Sequence, residues 1–165
     1  MTRATGFACT VHCFEPQSDL FGRMCDNARH IPAASFVPVN KGLYSESTTL
    51  HFREDGYANG SARVAEDGEV AIEVISVDDY ARESGVERVD MISLDVEGSE
   101  LEVLRGARES IERFAPKLQL SLYHQLSHLW EVYETVKAMC GDYRFHVGHH
   151  TQHFNETMLY AIRAE

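Results

Sequence analysis

Short apolar runs alternate with longer amphipathic segments along most of this 165-residue chain. The short runs predict strands over residues 9–14, 35–39, 50–52, 70–75, 89–95, 118–123, 143–147 and 158–162, and the longer segments predict helices over residues 17–30, 78–84, 99–113 and 127–140. Strands that alternate with helices at this spacing pair in parallel through right-handed crossovers. Only a loop separates the last two strands, so these should be antiparallel. The pattern predicts a single α/β domain with a mostly parallel sheet and a C-terminal antiparallel hairpin.

Residues 41–76 depart from this alternation. Two strand-like runs, 50–52 and 70–75, flank a polar loop at 56–61 with no helical segment between them. Strands joined by a loop alone pair in the antiparallel sense. We therefore expect an antiparallel excursion in this part of the chain.

The composition excludes several classes of protein. Apolar residues make up 44% and charged residues 25% of the chain, as in ordinary globular proteins. No run approaches the roughly 18 apolar residues of a membrane span, and the first residues lack the apolar core of a signal peptide. The formal net charge of −11 repels phosphate backbones. We expect a cytoplasmic protein that binds neither membranes nor nucleic acid.

The first predicted strand ends at Glu15, and Pro16 follows it. In open α/β sheets the ligand binds beyond the carboxyl ends of the strands, and a carboxylate at that position can accept two hydrogen bonds from a ribose diol. The alternative is structural, because proline suits the first turn of a helix and the helix dipole stabilises an acid beside it. The spacing alone leaves both interpretations of Glu15 open.

A second predicted strand ends at Asp95, and three carboxylates lie within six residues of chain there. They are Asp95, Glu97 and Glu100, and Gly98 between them lets the backbone turn sharply into a helix. Such an acidic corner can contact a cationic cofactor, an acceptor substrate or a metal. The alternative is that Ser99 or Glu100 caps the helix while the neighbouring acids are solvated.

Histidines raise the question of a metal site. His124 and His128 lie four residues apart, and Glu131 follows three residues later. Gln125 follows His124, so the pattern is not the H-E-x-x-H motif of zinc proteases, and His124 is expected to close a strand rather than lie on the helix. We predict no metal site. A solvated loop is expected for the histidines of the C-terminal hairpin, His146, His149, His150 and His153.

Several segments together match the pattern of one enzyme family. Residues 11–16 read V-H-C-F-E-P, and residues 90–100 read D-M-I-S-L-D-V-E-G-S-E and are followed by V-L-R-G-A at 103–107. These segments resemble the S-adenosylmethionine-dependent methyltransferases of the FkbM family, whose second strand closes in F-E-P and whose signature is I-D-x-I-K-x-D-V-E-G-x-E-x-x-V-L-x-G-A. Weaker similarities bring the resemblance to about residue 9 at one end and residue 162 at the other.

The resemblance implies a Rossmann-like methyltransferase sheet and methyl transfer from S-adenosylmethionine, most often to a hydroxyl of a sugar or another small molecule. It implies that Glu15, beside Pro16, binds the cofactor ribose, and that Asp95 and Glu97 line the cleft near the methionine or the acceptor. A hydroxyl acceptor also needs a base whose pKa lies near the working pH. The candidates, in order, are Asp95, Glu97 and His124.

The chain departs from the family pattern at its start. The family places a first strand and a glycine-rich turn before F-E-P, at the centre of the sheet between the strands that end at Glu15 and Asp95. Gly6 is the only glycine among the first 15 residues. We therefore expect an N-terminally incomplete domain that lacks the first strand, as a fragment, the product of a misplaced start or a degenerate copy. Alternatively, the two strand edges pair directly in a smaller sheet.

Three functions are compatible with these residues. The first is methyl transfer, and the second is a non-catalytic remnant or interaction domain that has lost its cofactor loop. The third is metal-dependent hydrolysis through the acidic corner, which predicts tight binding of divalent metal. Binding of S-adenosylmethionine distinguishes the first from the second. An open sheet edge would also favour a homodimer.

Overall fold

The computed structural model describes residues 9–30, 35–54, 62–64, 68, 70–153 and 155–164. Its strands are β1 (Thr10–Phe14), β2 (Ser35–Val39), β3 (Gly42–Leu43), β4 (Thr48–Glu54), β5 (Ala62–Val64), β6 (Val70–Ile75), β7 (Met91–Leu94), β8 (Lys117–Ser121), β9 (Tyr143–His149) and β10 (Thr157–Arg163). Its helices are α1 (Ser18–Ala28), α2 (Val77–Glu83), α3 (Glu100–Arg105), α4 (Arg108–Phe114) and α5 (His128–Met139). The predicted α/β class is confirmed, whereas the expected polar loop at 56–61 lies outside the described residues.

The described strands form three sheets, with the orders β1-β2, β7-β8-β10-β9 and β3-β6-β4-β5. The pairings β1–β2, β3–β6 and β7–β8 are parallel. The pairings β4–β5, β4–β6, β8–β10 and β9–β10 are antiparallel. The prediction of a mostly parallel sheet is therefore not confirmed, because the excursion within 41–76 and the C-terminal strands contribute antiparallel pairs. The excursion itself was expected to be antiparallel, and the pairing of β4 with β6 confirms it.

The last two strands form the predicted antiparallel hairpin. β10 pairs with β9 along its whole length, from Thr157 opposite His149 to Arg163 opposite Tyr143. The other edge of β10 pairs antiparallel with β8, which places β10 between β8 and β9. The hairpin thereby extends the sheet that begins with β7, and Leu159 and Ala161 are buried in its core.

The strand β1 precedes Glu15, and β7 precedes Asp95. Among the described strands, each of these two pairs with a neighbour on one side only. They do not pair with each other, so the alternative in which these two edges join directly is wrong. Side chains attach β1 to α2 instead. The Nδ1 atom of His12 lies 2.7 Å from the Tyr80 hydroxyl, and the Phe14 ring meets the Tyr80 ring edge to face at 4.7 Å between centroids.

The single helix predicted over 99–113 is wrong, because the chain breaks between α3 and α4 at Gly106 and Ala107. Asp78 satisfies the backbone at this break. Its carboxylate accepts hydrogen bonds of 2.9 Å from the amide N–H groups of Glu109 and Ser110, and its own amide donates to the Gly106 carbonyl at 3.0 Å. A helix N-terminus has amide donors without intrahelical partners, and a distant aspartate provides acceptors for two of them here.

Replacing Gly106 with alanine is expected to destabilise the fold. An added Cβ would lie far inside van der Waals contact with the Tyr44 carbonyl oxygen and 3.0 Å from Ser45 Cα, and overpacking of this kind costs about 1–3 kcal/mol. Gly22 provides the matched control, since it lies within α1 with nothing within 4 Å of an added Cβ. Alanine there should stabilise the helix by about 0.5–1 kcal/mol. Urea denaturation of both variants measures the difference, and equal midpoints would contradict the close approach at Gly106.

The main core lies between the β7-β8-β10-β9 sheet and the helices α3, α4 and α5. Its most completely buried side chains are Leu94, Val103, Leu104, Ile111, Leu118, Leu120, Val132 and Val136. In α5 the buried face begins at His128, whereas Leu129 and Trp130 are 50% and 53% exposed. Trp130 is therefore not a core aromatic. No helix in the described part of the chain is long and apolar enough to span a membrane.

Candidate active site

The candidate site lies where the parallel neighbours β7 and β8 end. Asp95 follows β7 directly, and a turn then leads into α3. Within this turn Glu97 and Gly98 have φ angles of 52° and 98°, and a left-handed conformation costs a non-glycine residue roughly 1 kcal/mol. Gln125, in the segment after β8, donates a 2.8 Å hydrogen bond to the Gly98 carbonyl. The two strand-to-helix connections are thereby fastened to each other.

Asp95 is oriented by hydroxyl donors from the neighbouring strand and the residues after it. Its Oδ1 atom accepts hydrogen bonds from Ser121 Oγ at 2.9 Å and from the Tyr123 hydroxyl at 2.8 Å. The Ser121 hydroxyl also lies 3.1 Å from the Leu94 carbonyl, and its single proton can be donated to one of these acceptors at a time. The Asp95 side chain remains 58% exposed, so the carboxylate is held in place yet accessible to a ligand.

His124 joins the three carboxylates of the acidic corner. Its Nδ1 atom lies 2.7 Å from Glu100 Oε1, and its Nε2 atom lies 3.4 Å from Asp95 Oδ1 and 3.5 Å from Glu97 Oε2. The His124 side chain is only 9% exposed, whereas that of Glu97 is 46% exposed. The predicted trio of Asp95, Glu97 and His124 is thus brought together, with Nε2 facing the two accessible acids.

These carboxylates influence the protonation of the imidazole. Burial acts to lower the pKa of His124, but the hydrogen bond with Glu100 and the negative charges of Glu100, Glu97 and Asp95 outweigh it, so the pKa lies above its ordinary value of 6.5. Burial acts to raise the pKa of Glu100, but hydrogen bonds from His124 and from backbone amides, with the charge of His124, bring it below its ordinary value of 4.5. Burial and the hydrogen bond to Asp95 raise the pKa of Tyr123, which keeps the phenol protonated.

Glu100 and His128 belong to the same cluster, and neither was among the predicted site residues. Glu100 is completely buried, and its Oε1 atom accepts a 3.2 Å hydrogen bond from the Val96 amide besides the one from His124. The His128 side chain is 1% exposed, and its Nδ1 atom lies 3.1 Å from Glu100 Oε2. The four-residue spacing of His124 and His128 was a usable indication. The two residues do not share one helix, but both imidazoles reach the same carboxylate.

A metal ion bound at this cluster would compete with hydrogen bonds that its carboxylates already accept. Asp95, Glu100 and His124 each offer a potential ligand atom, and these atoms lie within 4.8 Å of one another. However, Asp95 Oδ1 and Glu100 Oε1 each already accept two hydrogen bonds. A cation bound through these two oxygens would break contacts that organise the site.

Of the predicted cofactor residues, Asp95 lies in this cluster, whereas Glu15 and Pro16 lie outside it. Glu15 follows β1, and its Oε1 atom accepts a 2.8 Å hydrogen bond from the Gln17 amide at the start of α1. Asn40 donates to the backbone carbonyls of Glu15 and Pro16 at 2.8 Å and 3.3 Å. None of the hydrogen bonds or ion pairs among the described residues joins Glu15 to Asp95. One carboxylate oxygen of Glu15 therefore has the structural role considered as the alternative, that of an acid at the start of a helix.

The hairpin histidines have local partners. His149 Nδ1 lies 2.9 Å from the Thr157 hydroxyl, and His150 Nε2 lies 2.7 Å from the Tyr160 hydroxyl. Both side chains, like that of His146, are exposed. The three side chains are solvated as expected, but His146 and His149 lie in the strand β9 and not in the expected loop.

Comparison with known proteins identifies the family. A family model described as the methyltransferase FkbM domain matches residues 1–157. The chain belongs to the FkbM methyltransferase family. Its D-V-E-G-S-E segment, which carried the resemblance in the sequence, forms the acidic corner described above.

Two known methyltransferases have sequences similar to parts of this chain. The hexuronic acid methyltransferase AglP of Haloferax volcanii is 34% identical over 103 residues, which cover 62% of this chain and 43% of AglP. The 2-O-methyltransferase NoeI of Sinorhizobium fredii is 36% identical over 47 residues, or 28% of this chain and 19% of NoeI. The chain thus aligns with less than half the length of either relative.

A solved structure supports the fold. The crystal structure of an FkbM methyltransferase from Methylobacillus flagellatus has a TM-score of 0.65 to this chain and is 24% identical in sequence. The match covers 93% of this chain and 36% of that protein. The described elements therefore follow the fold of part of a larger FkbM methyltransferase.

Proposed function

We propose that this chain acts as an S-adenosylmethionine-dependent O-methyltransferase on a hydroxyl of a sugar or another small molecule. Membership of the FkbM family supports methyl transfer. The names of the two relatives, one a hexuronic acid methyltransferase and the other a 2-O-methyltransferase, support an oxygen acceptor on a sugar-like molecule. The fold similarity supports a further proposal, that the β1-β2 and β7-β8-β10-β9 sheets are two parts of one Rossmann-like sheet.

The observation that carries the proposal is the orientation of His124. A buried carboxylate holds one ring nitrogen at 2.7 Å, and the other faces Asp95 and Glu97 at 3.4 Å and 3.5 Å. An imidazole held through one nitrogen, with the other directed toward exposed polar groups, is an arrangement that general-base catalysis uses. Its place beyond the ends of β7 and β8 is where α/β sheets bind their ligands.

Two carboxylates suit the cofactor by their chemistry. Glu15 Oε1 is engaged by the Gln17 amide, while no donor is assigned to Oε2 among the described residues, which leaves that oxygen for a ribose hydroxyl. The exposed carboxylate of Asp95 provides negative charge that attracts a cationic sulfur. S-adenosylmethionine, when bound, supplies an electrophilic methyl group on that positively charged sulfur.

The residues of the site would then prepare the acceptor. Asp95 and Glu97 are accessible acceptors of hydrogen bonds and can hold the substrate hydroxyl groups beside His124. The Nε2 atom of His124 would take the proton of the reacting hydroxyl as its oxygen bonds to the methyl carbon, while the methyl–sulfur bond breaks and the neutral thioether leaves. In-line transfer of this kind is accelerated mainly by positioning, and general-base assistance contributes about 10²–10⁴-fold.

The experiment is transfer of isotopically labelled methyl groups from S-adenosylmethionine to a panel of hexoses, uronic acids and their glycosides. The proposal expects labelled methyl ether on at least one hydroxylated acceptor. A panel of matching deoxy sugars, each lacking one hydroxyl, then locates the acceptor oxygen. Absence of labelled product with every hydroxylated acceptor would contradict the proposal, and it would favour a non-catalytic interaction domain if the same preparation unfolds cooperatively.

The pH dependence of transfer should report the pKa of His124. The rate is expected to rise with pH through a value above 6.5, because only the neutral imidazole accepts a proton and the surrounding carboxylates raise its pKa. Replacing Glu97 with glutamine removes one of those charges, so the rising limb should move to lower pH. We expect a shift of less than about one pH unit, since Glu97 is partly exposed and screened.

The matched control for this pH profile is Glu134→Gln, which removes an exposed carboxylate from α5. Its profile should coincide with that of the unmodified chain. A limb that moves equally in both variants, or one that does not move in Glu97→Gln, would exclude His124 as the titrating base.

A further inference from the structure

One buried carboxylate is shared by two imidazoles. Glu100 is completely buried, with Oε1 facing His124 and Oε2 facing His128. The Oε2 atom and His128 Nδ1 are 3.1 Å apart but not aligned as a regular hydrogen bond, and neither has another partner among the described residues. A buried carboxylate oxygen without a donor is costly. The close approach of His128 is therefore the contact that compensates Oε2.

The arrangement selects one tautomer of His124. The Oε1 atom already accepts a hydrogen bond from the Val96 amide, and an ionised carboxylate can only accept. The Nδ1 atom of His124, at 2.7 Å from it, must therefore carry a proton. In neutral histidine this leaves the lone pair on Nε2. The hydrogen bond made by one ring nitrogen thus decides which of the two carries the proton. Free histidine favours the opposite tautomer, so the protein imposes this one.

We infer that Glu100 and His128 form a buried pair that holds His124 with its proton on Nδ1 and its lone pair on Nε2. His128 acts through Glu100 and does not reach the substrate side, so both members are positioning residues. The inference rests on the proposed function, in which Nε2 is the base. It adds that the base depends on a second histidine four residues later in the chain.

The test uses nuclear magnetic resonance of the full chain labelled with ¹⁵N in its histidines. Long-range ¹H–¹⁵N correlations distinguish a protonated from an unprotonated ring nitrogen, and the signals that vanish in His124→Gln identify His124 among the nine histidines. Neutral His124 is expected to be protonated at Nδ1 and unprotonated at Nε2. A proton on Nε2 of neutral His124 in the unmodified chain would overturn the inference without any further variant.

Two substitutions at His128 separate positioning from packing. His128→Asn keeps an N–H donor at the δ position, whereas His128→Leu has a similar size and no donor. In the leucine variant Glu100 Oε2 loses its contact, so Glu100 gains a proton more readily. The tautomer of His124 with its proton on Nδ1 is then less strongly favoured. The titration midpoint of His124 should then fall by roughly one pH unit, and asparagine should restore both the tautomer and the midpoint.

The groups that face His124 in this titration are Glu100, Asp95, Glu97 and the adjoining Tyr123 ring, whose centroid is 4.2 Å away. None of these residues is itself replaced in the His128 variants, so a change in their effect on His124 comes through the contact of His128 with Glu100. An unchanged tautomer and midpoint in a folded His128→Leu chain would overturn the role of His128. The measurement needs neither cofactor nor acceptor, so the inference and the proposed function fail separately: a missing methyl transfer counts against the function, and a wrong tautomer counts against the inference.

Discussion

Replacing Glu100 with alanine is expected to lower the free energy of unfolding by about 3–5 kcal/mol, the usual cost of breaking a buried ionic pair from one side. The substitution leaves the Nδ1 atoms of His124 and His128 without their acceptor in a closed environment. For a chain of this length the loss corresponds to a fall in the thermal midpoint on the order of 10 °C. Calorimetry or circular dichroism measures it directly.

Glu102→Ala is the matched control, because Glu102 lies on the same helix, is 30% exposed and pairs with Arg105. Such a pair contributes at most about 1 kcal/mol. Equal losses in the two variants would contradict the account of Glu100 as a buried partner of the histidines.

The effect of Glu100→Ala should also vary with pH. The folded pKa of Glu100 is lowered, so its contribution to stability is present above its ordinary value of 4.5 and is lost as pH falls through the folded value. The folded pKa of His124 is raised, so its contribution is present below 6.5 and is lost as pH rises through the folded value. The difference in stability between the two chains is therefore largest between about pH 4.5 and 6.5.

Replacing His124 with glutamine is expected to reduce kcat for methyl transfer by about 10²–10⁴-fold, the usual contribution of a general base. Glutamine can still form a hydrogen bond but cannot take the proton of the acceptor hydroxyl. The KM for S-adenosylmethionine should change little, because the proposed cofactor contacts lie at Glu15 and Asp95. Initial rates under saturating cofactor measure the effect.

His146→Gln is the corresponding control, since His146 is exposed on β9 and outside the cluster. It should retain the full rate. A His124→Gln chain that keeps more than about a tenth of the unmodified kcat would exclude the general-base role, and it would leave Asp95 as the next candidate base.

The local elements were predictable because their patterns are local. The apolar run before Glu15 and the alternation in residues 118–123 gave strands close to the observed β1 and β8. The break between α3 and α4 was not predictable from the same pattern. It depends on Asp78, some 30 residues earlier, and on the close approach of Gly106 to the Tyr44 carbonyl.

The candidate site was predictable in part. Asp95, Glu97 and His124 follow the ends of neighbouring strands, so their meeting follows from the parallel pairing of β7 with β8. The sequence left Glu100 open between a part of the acidic corner and a helix cap, and its burial was not predictable, because glutamate is almost never fully buried unless it is paired. Its partners lie on the far side of β8 in the sequence, and only the folded chain shows that His124 and His128 both reach it.

The buried face of α5 also differs from what apolar spacing alone suggests. Leu129 and Trp130 repeat at helical spacing with the apolar residues that follow, yet both are about half exposed, while His128 is buried. A periodicity analysis assigns an unpaired histidine to the surface. The buried Glu100 reverses that assignment, because its carboxylate lies 3.1 Å from the imidazole and this polar contact offsets part of the cost of burying it.

The thermal unfolding midpoint with and without saturating S-adenosylmethionine tests the central claim most directly. At about 100 times its dissociation constant a ligand stabilises the folded state by about 2.7 kcal/mol, or on the order of 5–10 °C for a chain of this length. The account predicts such a rise in the unmodified chain, its loss in Glu15→Ala, and its retention in Asp19→Ala, which removes another acid from the start of α1. A cooperative transition that S-adenosylmethionine does not move would contradict the account.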